Sequence, residues 1–193
     1  MMGGTIQLIL IGGPGAGKGT QAEAICKAHP IPHISTGDIL RREVAEGSEL
    51  GVRVREIMDQ GLLVDDATML KVVEHRLQCP DTESGFILDG FPRTLDQARG
   101  LSEILKRRPV SKVCVLVLSV SDDEMTRRMM GRGRADDTPE TVARRIAKFH
   151  RETEDAIAYY QEKGQLVRID GEQGIGLVTR DVLNAIEDYL GWF

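Results

Sequence analysis

Gly12-Gly13-Pro14-Gly15-Ala16-Gly17-Lys18-Gly19-Thr20 decides the fold. The apolar run Ile6-Gln7-Leu8-Ile9-Leu10-Ile11 precedes it, and the helix-like segment Gln21-Ala22-Glu23-Ala24-Ile25-Cys26-Lys27 follows. Strand, glycine-rich loop, lysine, hydroxyl residue and helix is the layout of a phosphate-binding P-loop. Glycines let backbone N–H groups turn toward one point. The helix start adds a positive dipole end, and Lys18 adds a mobile cation. Gly15, Ala16, Gly17, Lys18, Gly19 and Thr20 are therefore the candidate cradle for a polyphosphate, with the Thr20 hydroxyl placed for Mg²⁺. The strict pattern has Ser or Thr directly after the lysine; here Gly19 intervenes.

Working outward, five stretches read as short buried strands: 5–11, 32–35, 86–89, 112–118 and 166–170. Helix-length segments separate them, so the pattern predicts an α/β chain with a parallel sheet covered by helices on both faces. Two stretches fall outside the simple alternation. Residues 37 to about 80 hold room for several helices, with breaks expected at Gly47, Gly51 and Gly61. That is more than one crossover needs, and it reads as an inserted helical lobe. The second is Gly131-Arg132-Gly133-Arg134-Ala135-Asp136-Asp137, a short hinge-like loop after a helix that starts near Asp123. Thr138 then reads as a helix N-cap, with Pro139 at the first helical position.

The 193 residues suit one domain, and 41% hydrophobic content is enough for a core. A formal charge of −5 argues against general nucleic-acid binding. Between residues 127 and 151 the balance reverses, with Arg127, Arg128, Arg132, Arg134, Arg144, Arg145, Lys148 and Arg151. Such a cluster in an acidic chain points to a local anionic ligand. Cys26, Cys79 and Cys114 are dispersed, which argues against a disulfide framework or a Cys-pair zinc site. No stretch approaches the ~18 continuous apolar residues of a membrane span. The chain runs almost directly into its first strand, with no basic leader. A cytoplasmic setting is expected.

Three further motifs carry chemistry. Ser35-Thr36-Gly37-Asp38-Ile39-Leu40-Arg41 stands at the end of the second strand, where parallel sheets bind ligands. Thr36 can hydrogen-bond a ligand and Arg41 can grip a phosphate; the same residues equally suit a helix cap. Gly85-Phe86-Ile87-Leu88-Asp89-Gly90-Phe91-Pro92-Arg93-Thr94-Leu95-Asp96-Gln97 ends a strand in Asp89, a carboxylate placed to hold Mg²⁺ or its waters. Arg93 and Gln97 lie a helical turn apart, and a glutamine amide can read a purine edge. A turn-capping Asp89 and a surface ion pair for Arg93 are the plainer alternatives. In the third, Arg128 and Arg132 share a helix face, Arg134 sits in the loop and Arg145 lies on the next helix. Arginines converging on a hinged loop suit a transferring phosphoryl group. Arg127 and Arg144 read as solvated or paired with acids, and Met125, Met129 and Met130 as packing; His29, His33, His75 and His150 share no spacing, and no metal or catalytic role is expected of them.

In this order the motifs resemble the adenylate kinase family of P-loop nucleoside monophosphate kinases, over nearly the whole chain. The glycine after the P-loop lysine is usual there. The resemblance implies the P-loop NTPase fold: a core of residues 1–34, 65–131 and 138–193, a monophosphate-binding lobe at 35–64 and a lid at 132–137. It implies Mg²⁺-dependent ATP + AMP ⇌ 2 ADP, with ATP, AMP and ADP as partners, no nucleic acid, no membrane, and a monomer. By resemblance, residues 15–20 with Arg128, Arg132 and Gln173 face ATP. Thr36, Arg41, Leu62, Leu63, Val64, Gly90, Phe91, Pro92, Arg93 and Gln97 form the AMP set. Arg134 and Arg145 reach AMP and the transferred phosphate, and Asp136 and Asp137 match the acids after the lid arginine. Long-form relatives carry an extra lid lobe, sometimes with zinc ligands; this chain reads as a short form without zinc.

A phosphate acceptor has a second pKa of about 6, so it is already anionic at neutral pH and needs no general base. Lys18, Arg93, Arg128, Arg132, Arg134 and Arg145 are then the expected catalytic set, acting by positioning and charge stabilisation. A UMP/CMP kinase on the same fold is the near rival; its relatives tend to have Ala at position 36 and Asn at position 97. A P-loop switch or ATPase is the rival of another class, and the guanine-reading Asn-Lys-x-Asp of a GTPase is absent.

Overall fold

The computed structural model describes residues 6–60, 62, 64–108, 112–133 and 137–191. In chain order these form β1 (Ile6–Gly12), α1 (Lys18–Ala28), β2 (His33–Ser35), α2 (Thr36–Glu46), α3 (Glu49–Asp59) and α4 (Asp66–Leu77). They continue with β3 (Gly85–Asp89), α5 (Leu95–Lys106), β4 (Val113–Ser119), α6 (Asp122–Gly131), α7 (Pro139–Glu162), β5 (Leu166–Asp170) and α8 (Ile175–Leu190). The five strands pair in parallel in the order β2-β3-β1-β4-β5. Each strand lies within a residue or so of its expected place. Leu10 stands level with Asp89 and Leu116, so the loops after β1, β3 and β4 leave the same edge together.

The inner strands β1, β3 and β4 are mostly apolar because both their faces are covered, as parallel crossovers require. On one face Ile9, Ile11, Leu88 and Val115 pack with Met69 and Val73 of α4, Leu101 of α5 and Ile157 and Tyr160 of α7. On the other, Leu8, Leu10, Ile87 and Leu116 pack with Ile25 of α1 and Val182 and Ile186 of α8. Each such side chain contributes about 1.5–3 kcal/mol on full burial. Cys114 is one of these core residues, and burial pushes its thiol up to about 12, which makes it unreactive. Met125 and Met129 pack against Val142 and Ile146 of α7. Met130 is exposed, so the packing expected of all three methionines holds for two.

Helices α2 and α3 follow the edge strand β2 and pack against each other as a hairpin. Gly47 ends α2 at φ +66°. Ser48 caps α3 by accepting from the Gly51 N–H at 3.0 Å. Gly51 is not the break that its sequence suggests. It sits inside α3, where an added Cβ would lie 2.0 Å from the Glu43 carbonyl oxygen; its smallness lets the two helices touch. Gly61 and Leu63 lie outside the described residues, as do Arg134 and Asp136 of the lid. Thr138 caps α7 by accepting from the Thr141 N–H, with Pro139 in its first turn, as expected. Among the described residues no helix is long and apolar enough to cross a membrane.

Candidate active site

The glycine loop joins β1 to α1. Gly17 precedes the helix at φ +92°, a left-handed conformation glycine adopts without strain, and Ala16 N–H bonds back to the Gly13 carbonyl at 3.1 Å. Lys18 opens α1 and curls its ammonium over the loop, donating to the carbonyls of Gly12 at 2.8 Å and Gly13 at 3.1 Å. Burial pushes its pKa below the ordinary lysine value, and the nearby Asp89 carboxylate opposes that shift. No side chain caps the start of α1, so its first N–H groups and the exposed Gly19 and Thr20 face outward. This is an anion-binding end.

The β3 edge completes the other wall. Gly90 turns at φ +79°, followed by a cis Phe91–Pro92 bond. A Cβ at Gly90 would meet the Thr36 hydroxyl at 3.0 Å and the Arg93 guanidinium at 3.3 Å, so these three groups converge. Thr36 donates to the Asp89 carbonyl at 3.3 Å, and Arg93 Nε donates to the Gly90 carbonyl at 2.9 Å. Arg93 reaches solvent, yet the protein around it lowers its pKa, with Asp89 and Glu152 pulling the other way. Ser35 caps α2 through Asp38, so the capping reading of this motif holds too. Arg41 pairs with Asp38, which lowers the Asp38 pKa.

These groups surround one cavity of about 300 Å³. Lys18, Thr36, Arg41, Arg93 and Arg145 supply its polar end, and Leu62, Val64, Phe91, Pro92 and Gln97 line the rest. Lys148 of the basic cluster also lines it, and so do Met58, Met69, Phe149, Glu152 and Thr153, which the sequence does not single out. All but Met58 come from α4 and α7, core helices whose pattern records only which residues turn inward.

Gln97 differs from its expectation. It is 2% exposed, and both ends of its amide are engaged. Oε1 accepts from the Arg93 N–H at 2.7 Å, and Nε2 donates to Asp66 at 2.8 Å. Asp66 also accepts from Thr94, the cap of α5, at 2.8 Å. Gln97 thus braces the Arg93 turn, keeping one amide proton and one lone pair for a ligand. Asp66 gave no sequence signal, because an acid in a first helical turn is ordinary.

The remaining arginines lie across the glycine loop. Arg128 donates to the Gly171 carbonyl at 2.8 Å and to Glu124 at 2.6 Å; with Arg127 it holds the Glu124 carboxyl down at about 2. The turn at Gly171 approaches the Ala16 carbonyl and leads to Gln173, which donates to Asp181 at 3.0 Å. Arg132 caps the end of α6 and pairs with Asp137, which also receives Arg145 at 3.0 Å. The Asp137 carboxylate is 1% exposed and holds two arginines from different helices. Arg128 and Arg132 therefore diverge despite their helical spacing, and neither lines the cavity.

His33 is the other surprise: its Nε2 lies 3.3 Å from Asp89 Oδ2. Asp89 thus contacts His33 from β2 and acts on Lys18 from α1. Oxygen donors for a hard divalent cation are available at Thr20 and Asp89, and among the described residues no larger acidic, Cys or His cluster occurs. Mg²⁺ is commonly held by one or two protein oxygens with substrate phosphates and water, so the donor set fits it.

A parallel α/β sheet with a glycine-lysine loop at its carboxyl edge, facing convergent arginines, defines a P-loop phosphoryl-transfer protein. A sequence model of the adenylate kinase family matches residues 10–165. The chain is similar to proteins named adenylate kinase from Acetivibrio thermocellus, 41% identical over 94% of this chain and 98% of that one, and from Trichodesmium erythraeum, 42% identical over 94% and 98%. A third, from Corynebacterium urealyticum, is 42% identical over 94% of this chain and 99% of that one. The chain belongs to the adenylate kinase family.

Proposed function

We propose that this chain catalyses reversible phosphoryl transfer, ATP + AMP ⇌ 2 ADP, with Mg²⁺, as a cytoplasmic monomer. The observation that carries the reading is the single cavity in which the P-loop lysine meets Thr36, Arg41, Arg93 and Arg145. A nucleotide-binding switch needs the first of these and has no use for the rest.

The acceptor monophosphate enters between α2–α3 and the β3 edge. Its base lies among Leu62, Val64 and Met69, with Gln97 and Thr36 at the rim; its phosphate meets Arg41, Arg93 and Arg145. The ATP phosphates lie along residues 15–20, with Arg128, Arg132 and Gln173 on the donor side. Lys18 exchanges its two carbonyl partners for phosphate oxygens and follows the transferred group. Thr20 and Asp89 would hold Mg²⁺, directly or through water, and the ion would supply neutralisation of phosphate charge. The acceptor oxygen is already ionised, so no side chain removes a proton. Rate comes from alignment and from arginine charge placed where the equatorial oxygens carry theirs. The lobe at 35–64 and the lid at 132–137 close over the substrates and exclude water.

The test is ADP formation from Mg-ATP with AMP, CMP, UMP or GMP, beside a control without acceptor. Preference for AMP and little phosphate release in the control are expected. Preference for CMP or UMP would overturn the base reading, and brisk hydrolysis without acceptor would overturn the kinase reading.

A further inference from the structure

Helix α7 sends two charged residues into the cavity that the reaction above does not use, Lys148 and Glu152. Four residues apart, they share a helix face. Glu152 Oε1 accepts from the exposed Arg151 at 3.2 Å. Its other oxygen, Oε2, is buried and has no hydrogen-bond partner among the described residues. A buried carboxylate oxygen is costly to leave without a donor. Besides Arg151 outside the cavity, Arg93 and Lys148, which line it, also feel this carboxylate. A cavity suited to a phosphate therefore contains an anion of its own, beside one of the arginines that would grip that phosphate.

We propose that Glu152 is a positioning residue that sets acceptor affinity: its carboxylate competes with the acceptor phosphate for Arg93 and Lys148. The inference rests on the acceptor-site reading given above. Glu152 keeps the two cations partly neutralised and turned into the cavity, so an entering phosphate gains less from them. Binding the ground state more tightly lowers KM without raising kcat, so a carboxylate that loosens it favours product departure.

The experiment is calorimetric titration of the full chain with AMP, inorganic phosphate and adenosine, together with steady-state kinetics. The variants are Glu152→Gln, Glu152→Asp, Arg93→Gln and Asp155→Asn, the last removing an exposed charge on the same helix. Glu152→Gln is expected to bind AMP and phosphate about 5- to 20-fold more tightly, the scale of one screened charge pair at a partly buried site. Adenosine, lacking phosphate, should bind as to the parent. KM for AMP should fall with no rise in kcat, Glu152→Asp should return toward the parent, and Asp155→Asn should match it. Unchanged or weaker AMP binding in Glu152→Gln, or equal tightening for adenosine, would overturn the proposal. If Arg93→Gln weakens AMP binding while Glu152→Gln changes nothing, the inference alone fails. If Arg93→Gln also leaves AMP binding untouched, the acceptor-site reading falls and takes the inference with it.

Discussion

Arg93 and Gln97 show how two residues from one motif divide their work. Arg93 lines the cavity, held by its Nε bond to the Gly90 carbonyl, with one terminal nitrogen and the Thr36 hydroxyl both close to Gly90. Arg93→Ala should cost on the order of 10³-fold or more in turnover, the scale of a transition-state arginine. A loss of only a few-fold, with the folded protein intact, would remove it from the catalytic set. Gln97 turns inward and bonds both Arg93 and Asp66. Gln97→Ala strips a partner from each and should lower unfolding stability in urea by roughly 1–3 kcal/mol. A change in AMP affinity with no change in stability would return Gln97 to the base-reading role that its residue type suggests. Sequence placed both residues at the site. It could not say which way Gln97 pointed, because its partner Asp66 lies 31 positions away.

Among the elements, α6 and α7 are joined at two places by ionisable groups. Buried Asp137 gathers Arg132 from the end of α6 and Arg145 from α7. Half-exposed His150 of α7 bonds Asp122 of α6 at 2.7 Å and Glu154 of its own helix at 3.2 Å. The Asp122 bond raises the His150 pKa, with Glu154 adding to it. A pKa higher in the folded than in the unfolded state gives stability that is fully present below the unfolded value, about 6.5. That stability is lost as pH rises through the folded value. His150→Ala should therefore lose more stability at about pH 5.5 than at about pH 9. The difference should be that of a surface tie, roughly 0.2–1 kcal/mol. Equal losses in urea unfolding at the two pH values would show that the tie carries no charge. No metal or catalytic role is expected of this histidine from the sequence, and its partner on α6 was not legible there.

At the scale of the molecule, the sheet is sealed on both faces, while residues of the α2–α3 hairpin and of α7 line the cavity together with the segments that follow β1 and β3. The core strands should stay rigid while the two outer parts close. Hydrogen exchange with a bisubstrate analogue should show added protection at 35–64 and around 132–137, and little change in β1, β3 and β4. Protection spread evenly over the chain would argue against lobe closure. The division into core, lobe and lid rests on the sequence pattern, and the hairpin at Thr36–Asp59 is the part of it with a visible physical boundary.

The class of fold, the phosphate loop and the order of the motifs around it are legible in the chain, because they are written in local chemistry. Apolar runs make buried strands, glycines permit one loop geometry, and Ser35, Thr94 and Thr138 cap the helices that follow them. The folded arrangement alone shows which arginines share the cavity, that Gln97 and Asp66 brace its wall, and that Lys148 and Glu152 line it. Those facts depend on contacts between segments far apart in the chain. Such contacts follow from how helices seat on the sheet, and a side chain's own residue type does not record that seating.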